Sequence, residues 1–250
     1  MATAKKKVVY VALAGNLAIA VTKFVAAAFT GSSSMLTEGI HSLVDTGNQG
    51  LLLYGMHRSQ RPPDEIHPYG YGRELYFWSF VVALLIFAVG AGVSIYEGIV
   101  HINAPEPATR PLVSFGVLGL AFLFEGYSWL LALREFARAK GDRGWWEALR
   151  RSKDPSTFIV LLEDSAALAG LVIAAIFIGL AILLEMPQLD GLGSVLIGCI
   201  LALVATILAR ESKGLLIGER ADPAISAAIG AIAARQAGVC AVNDVVTLHL

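Results

Sequence analysis

The sequence predicts a polytopic α-helical membrane protein, and three observations carry that prediction. Of its 250 residues, 56% are hydrophobic and only 16% are charged. A soluble domain carries about 25% charged residues, so the deficit marks a chain solvated largely by lipid. Separate apolar runs reach the roughly 20 residues needed to cross a hydrocarbon core. Basic residues, finally, fall almost entirely in alternate loops, the asymmetry that sets membrane topology.

The first run spans residues 8–29, behind Lys5, Lys6 and Lys7. It is too long for a signal-peptide core and lacks a small-residue cleavage site, so it reads as a retained span. Runs at 75–99, 112–133, 157–184 and 192–209 follow. The stretch 33–56 is more polar, but it lies between the turn at Gly31 and the basic loop beginning at His57. Counted as the second span, it makes six. With the N-terminus inside, six crossings put 17 of the 19 basic residues on the cytoplasmic side, leaving Arg110 outside and Lys23 within a span. Both termini are then cytoplasmic.

Composition changes after Glu219-Arg220. Residues 1–219 are therefore expected to form the six-helix transmembrane domain, and 220–250 the start of a cytoplasmic C-terminal domain. Asp222-Pro223 is a helix-start signal, with Asp as cap and Pro at the first position. An amphipathic helix to about Gln236 and a β-rich run over 242–250 should follow. One helix and one strand make too small a core to stand alone, so this domain is expected to be incomplete. Cys199 and Cys240 have no metal-ligand spacing, which argues against a zinc finger or a disulfide scaffold. The sequence has no Gly-x-x-x-x-Gly-Lys-Ser/Thr run, so no ATPase module is expected, and no nucleic-acid partner either.

The second run carries Glu38, His41, Asp45, Asn48 and Gln49. An Asp at the centre of a span costs about 2.5–3.5 kcal/mol on insertion scales, so such residues persist mainly where they face a polar cavity or a partner. His41 and Asp45 lie about 40° apart on one helix face, with Glu38 and Asn48 flanking the stripe. An imidazole and a carboxylate pointing the same way are half of a metal site. The fifth run supplies Glu163 and Asp164. These point about 100° apart, and Asp164 is the expected ligand. Val160 stands one turn before it, where a His would be better placed. Glu163 is then a fourth ligand, a proton carrier or a group supporting the ligands.

Blander readings stand beside these. His41 and Asp45 could be an interhelical hydrogen-bonded pair that only specifies packing. Glu125 reads equally as a gating or proton residue and as a partner for a polar neighbour. Lys23 is expected to snorkel or to pair with a carboxylate. Gly90, Gly92 and Ser94 are expected to permit close helix packing.

Several of these residues fall into longer runs. Gly31-Ser32-Ser33-Ser34-Met35, then Glu38, His41-Ser42-Leu43-Val44-Asp45 and Asn48-Gln49-Gly50, resemble the cation diffusion facilitator family. So do Arg61-Pro62-Pro63-Asp64 and His67-Pro68-Tyr69-Gly70-Tyr71-Gly72-Arg73-Glu74. The run from Asp154-Pro155-Ser156-Thr157 through Leu161-Leu162-Glu163-Asp164-Ser165-Ala166-Ala167 is similar to the family's zinc transporter nine-like branch. The resemblance implies metal-binding roles for His41, Asp45 and Asp164, with the family's common fourth ligand, a His, replaced by Val160. It further implies a homodimer and a cytoplasmic α/β domain of ferredoxin-like shape.

The function expected on these grounds is export of a divalent transition metal in exchange for protons, by a transporter and not an enzyme. Metal needs neutral imidazole and ionised carboxylates, so protons compete with it for the same groups. The mixed N/O donor set fits zinc and lacks the thiolates that select Cu(I). Oxygens from Glu163 and Asn48 would instead suit Mn(II) or Fe(II). The alternative from another class is a membrane-embedded acyltransferase-type enzyme using His41 and Asp45 as a general-base pair. Counted from the outer ends of their runs, Asp45 and Asp164 differ in depth by roughly 12 Å, unless the fifth helix projects or tilts. An Ala/Gly-rich chain without a long presequence suggests a bacterial inner membrane.

Overall fold

A computed structural model describes residues 2–105, 110–141, 144, 145, 148, 155–218, 220, 221 and 223–247. The side chains of 2–12, 14, 15, 135, 139 and 155–158 lie outside this description, as do the expected Asp222 cap and the basic residues Arg143, Arg150, Arg151 and Lys153.

The described chain is nearly all helix. In order come α1 (Ala2–Thr30), α2 (Ser33–Ser59) and α3 (Glu74–Leu85). A π-helical turn, Ile86–Ala91, joins α3 to α4 (Gly92–Asn103), and α5 (Pro111–Lys140) follows. The last three are α6 (Pro155–Leu183), α7 (Gln188–Ile217) and α8 (Pro223–Ala234). Four runs are apolar and long enough to cross a membrane: Glu74–Asn103, Pro111–Arg138, Ile159–Leu183 and Gln188–Ile217. Three of them extend past the runs read from hydropathy, while Ile159–Leu183 lies within the run 157–184. α2 is as long as these, but its buried face carries Glu38, His41 and Asn48. On α1 the opposite pattern appears. Leu17, Val21, Val25 and Phe29, four residues apart, form an exposed apolar stripe, which suits contact with lipid.

α7 is the hub of the bundle, packed along α4, α6 and α3, while α1 lies on α2 and α5 on α6. Its contact with α4 is close because glycines meet there. A Cβ on Gly98 would stand 2.6 Å from the Gly191 carbonyl oxygen, and one on Gly198 would stand 2.6 Å from Ile95 Cγ1. The expectation for Gly90 and Gly92 is not met in this form. A Cβ at either would find its nearest neighbour at 3.5 and 3.7 Å, ordinary van der Waals distances. Gly90 lies instead in the π-turn, and its carbonyl accepts the Ser94 hydroxyl at 2.6 Å.

The α1–α2 turn depends on Gly31, whose φ of 68° places it in the left-handed region that glycine enters without strain. Ser32 then caps α2, its hydroxyl accepting Met35 N–H. A second cap comes from a distant residue. The Asp190 carboxylate accepts Ser33 N–H at 2.8 Å and Ser34 N–H at 3.2 Å. A buried helix end must satisfy its first N–H groups, and a carboxylate there also complements the helix dipole. Asp190→Ala is expected to cost about 0.5–2 kcal/mol, the usual range for losing a cap. Thermal unfolding of the detergent-solubilised protein checks this as a lowered midpoint.

The 60–73 loop is ordered by its own polar groups. Asp64 accepts Ile66 and His67 N–H through Oδ1, and the Tyr71 hydroxyl at 2.6 Å through Oδ2. Chiefly because of the Tyr71 hydroxyl, the Asp64 carboxyl sits below its ordinary value, and Tyr71 sits above its own. A carboxyl depressed in the folded chain contributes stability above its unfolded pKa, and loses it as pH falls through the folded one. Tyr71→Phe is therefore expected to raise the Asp64 titration midpoint, read by NMR of the labelled side-chain carboxyl.

Beyond α7 the chain leaves the bundle at Gly218, with φ 106°. Pro223 opens α8 as expected, and that helix ends at Ala234, two residues before the predicted Gln236. The β-rich run is different from the expectation. Among the described residues, 240–247 form no strand, and 248–250 lie outside the description. A strand needs a neighbour for its ladder bonds; here the Arg220 guanidinium donates to the Val245 carbonyl and Ala221 N–H donates to the Thr247 hydroxyl, while Val245 lies beside Gly230 of the helix α8.

Candidate functional site

α2 and α6 run antiparallel, and three contacts fix their register. Ser34 and Phe177 meet at Gly193, Glu38 Oε1 abuts Gly170, and Asn48 Nδ2 donates to Glu163 Oε1 at 2.6 Å. This register removes the depth mismatch expected from the sequence. α6 continues past the level of Ser34 from residue 178 to Leu183, so counting from its outer end overstates the depth of Asp164. Asp45 and Asp164 line one small cavity, with Glu125 and Ser128 of α5, Gln49 of α2 and Asn16 of α1. Its volume is about 30 Å³, enough for a single water-sized occupant.

Several wall residues have partners that position them. Asn16 Nδ2 donates to Gln49 Oε1 at 3.0 Å, tying α1 to α2. Ser128 Oγ donates to Asp164 Oδ2 at 2.9 Å, and one residue on, Trp129 Nε1 donates to Ser165 Oγ at 2.9 Å. These two bonds lock α5 against α6. His41 is buried, with Nε2 3.5 Å from Asp45 Oδ2, as expected for residues one turn apart. Asp45 Oδ1 is buried with no hydrogen-bond partner in the protein. An unpaired buried carboxylate oxygen is costly, and this one belongs to a residue that faces the cavity.

The structure thus brings Asp45 and Asp164 together, with His41 behind Asp45. Glu163 and Asn48 bond each other and are not among the cavity-lining residues. Glu38 sits elsewhere, paired with Lys23 at 3.0 Å. Among the described residues, no three or more His, Cys, Asp and Glu side chains are already gathered as a metal cage. Asp164 is held by Ser128 and Glu163 by Asn48, so a cation would draw on these carboxylates by exchanging hydrogen bonds for coordination.

Sequence reading missed Asn16 and Ser128, which both line the cavity. Ser128 lies one turn after Glu125 on α5, and this spacing could have marked a polar face in an apolar helix. Lys23 pairs with carboxylates, as one of the two expectations had it, but both Glu38 and Glu125 take part, at 3.0 and 2.8 Å. No local pattern announces a bond between residues 23 and 125.

A helical bundle with membrane-length apolar runs and acidic and imidazole groups buried between its helices has the build of a multi-pass membrane protein. The comparisons with known proteins make this specific. The model for the cation efflux transmembrane domain matches residues 9–217. The chain belongs to the cation efflux family, the cation diffusion facilitators of the sequence resemblance. It is 38% identical over 242 residues to the human proton-coupled zinc antiporter SLC30A9, mitochondrial, covering 96% of this chain and 42% of that protein. Against the Xenopus laevis protein of the same name the identity is 39% over 219 residues, 87% of this chain and 39% of the relative. Metal tolerance protein C4 of Arabidopsis thaliana is 35% identical over 195 residues, 77% of this chain and 43% of that protein. The chain thus spans about two-fifths of the length of these curated relatives.

Proposed function

We propose that the chain moves a divalent transition metal, zinc first, across a membrane in exchange for protons, through the cavity shared by Asp45 and Asp164. The observation that carries this is the convergence of those two carboxylates, from helices 119 positions apart in sequence, on a space that fits one ion. The names of the human and Xenopus laevis relatives, zinc antiporters coupled to protons, support the same cargo and coupling.

In this reading Asp45 and Asp164 take the ion, and His41, one turn from Asp45, completes the donor set when its imidazole turns to the cavity. Glu163 and Asn48 stand behind as a bonded pair. Glu163 either joins the ion as a fourth ligand or carries a proton. Protons and metal compete for the same oxygens and nitrogen, so loading with one releases the other. This competition supplies the coupling. An Mn(II) or Fe(II) cargo would require oxygens of Glu163 and Asn48 to join the ion.

The proposal extends to six spans, α1, α2, α3 with α4, α5, α6 and α7, with both termini on the cytoplasmic side. Residues 1–219 form the transporter domain and 220–250 begin a cytoplasmic ferredoxin-like domain, in a homodimer. The compartment stays between the bacterial inner membrane suggested by composition and the mitochondrial one printed in the relatives' names. Uptake of zinc, manganese and iron into proteoliposomes across an imposed pH gradient tests the function. Zinc flux that follows the gradient is expected; gradient-independent flux, or none for any of the three ions, would overturn it.

A further inference from the structure

We propose that Lys23 is a tethered counter-cation for Glu125, competing with the metal ion for that carboxylate and setting how readily the ion leaves. The proposal rests on the metal reading of the cavity. Lys23 is only 1% exposed, in the middle of the bundle. Its Nζ donates to Glu38 Oε2 at 3.0 Å, Ser42 Oγ at 2.8 Å and Glu125 Oε1 at 2.8 Å. An ammonium has three donors, and here all three are used. Oxygens from α2 and α5 thus surround it as they would a bound cation.

Glu125 is shared. One of its oxygens is on Lys23, while the other, Oε2, is buried with no partner in the protein. The same residue lines the cavity beside Asp45 and Asp164. An ion held by those two aspartates therefore meets a carboxylate already engaged by a positive charge that cannot diffuse away. Two consequences follow from Coulomb's law at short range in a poorly screened interior. The ion gains less from Glu125 than from a free carboxylate, and Lys23 repels it. Both weaken binding, and weak binding favours release. A lysine serving only to pin α1 against α2 and α5 would not need a cavity carboxylate as partner, since a neutral contact can hold helices without the desolvation cost of buried charge.

Zinc binding to the purified full chain, by calorimetry, tests this. Lys23→Met is expected to raise zinc affinity on the order of 10-fold, within the usual span of couplings between sites, and to slow proton-driven zinc release. In a Glu125→Gln background the same change should raise affinity by much less, because only the direct repulsion remains once the shared carboxylate is gone. If Lys23→Met does not fold, Lys23→Met with Glu38→Gln removes one charge of each sign and carries the same measurement. A simple pin predicts a lower unfolding midpoint with unchanged or weaker affinity, and that result would overturn the proposal. So would an affinity gain that survives undiminished in the Glu125→Gln background. Absence of zinc binding by the unmutated protein would overturn the metal reading and this inference together, whereas binding unaffected by Lys23 overturns this inference alone.

Discussion

Asp45→Ala is expected to abolish metal binding and transport while leaving the protein folded. Asp45 carries a buried, unpartnered oxygen, lines the cavity and stands 3.5 Å from His41, so no neighbour can replace both its charge and its position. Losing an outer partner of a metal ligand costs about 10–100-fold in affinity or activity, and losing the ligand itself should exceed that. Removing a carboxylate that has one buried, unpartnered oxygen also relieves a cost of folding, so the unfolding midpoint should hold or rise. Proteoliposome flux and thermal unfolding on the same preparation check both parts. Near-normal zinc flux would contradict the site; lost flux with a lowered midpoint would point to a packing role.

Gly98→Leu is expected to prevent assembly of the bundle, and Gly98→Ala to destabilise it by about 1–3 kcal/mol, the range for overpacking. A Cβ at Gly98 would meet the Gly191 carbonyl oxygen at 2.6 Å, Val195 Cγ2 at 2.7 Å and Val195 N at 2.8 Å. Two of those atoms are backbone, so relief requires α4 and α7 to separate. The contact is reciprocal, since a Cβ on Gly191 would stand 2.8 Å from the Gly98 carbonyl oxygen. Gly119 in α5 supplies the control, because a Cβ there meets nothing within 4 Å. Gly119→Ala should be neutral or stabilising by about 0.5–1 kcal/mol through reduced chain entropy. Size-exclusion profiles and melting midpoints in detergent measure all three; equal midpoints for Gly98→Ala and Gly119→Ala would contradict the close-packing account.

Much of this architecture was legible in the residues. Apolar runs located the four membrane-length helices, and the turn at Gly31 with the basic loop at His57 bracketed α2 despite its polarity. The pairing of His41 with Asp45 followed from helical spacing alone. What was not legible was relative height. The depth of Asp164 depends on how far α6 projects beyond α2, which is fixed by packing at Gly193 and Gly170 and not by hydropathy. Long-range bonds were equally hidden. Asp190 fell just outside the sixth apolar run, although it caps α2, and Lys23 could be assigned a carboxylate but not two. The close glycines were partly readable: Gly191, Ser194 and Gly198, three and seven positions apart, share one helix face. The π-turn at Gly90 was not, since it is a local response to packing in an otherwise regular apolar helix.

The central claim is that Asp45 and Asp164 hold the transported ion between α2 and α6. Its most direct test is a structure of the full chain soaked with cadmium, with the ion located by anomalous scattering. The account predicts a peak in the cavity, about 2–2.5 Å from carboxylate oxygens of both residues as carboxylate ligation of such ions requires, and its loss in Asp45→Ala. A cadmium peak confined to the 60–73 loop, or one in the cavity that persists in Asp45→Ala, would contradict it.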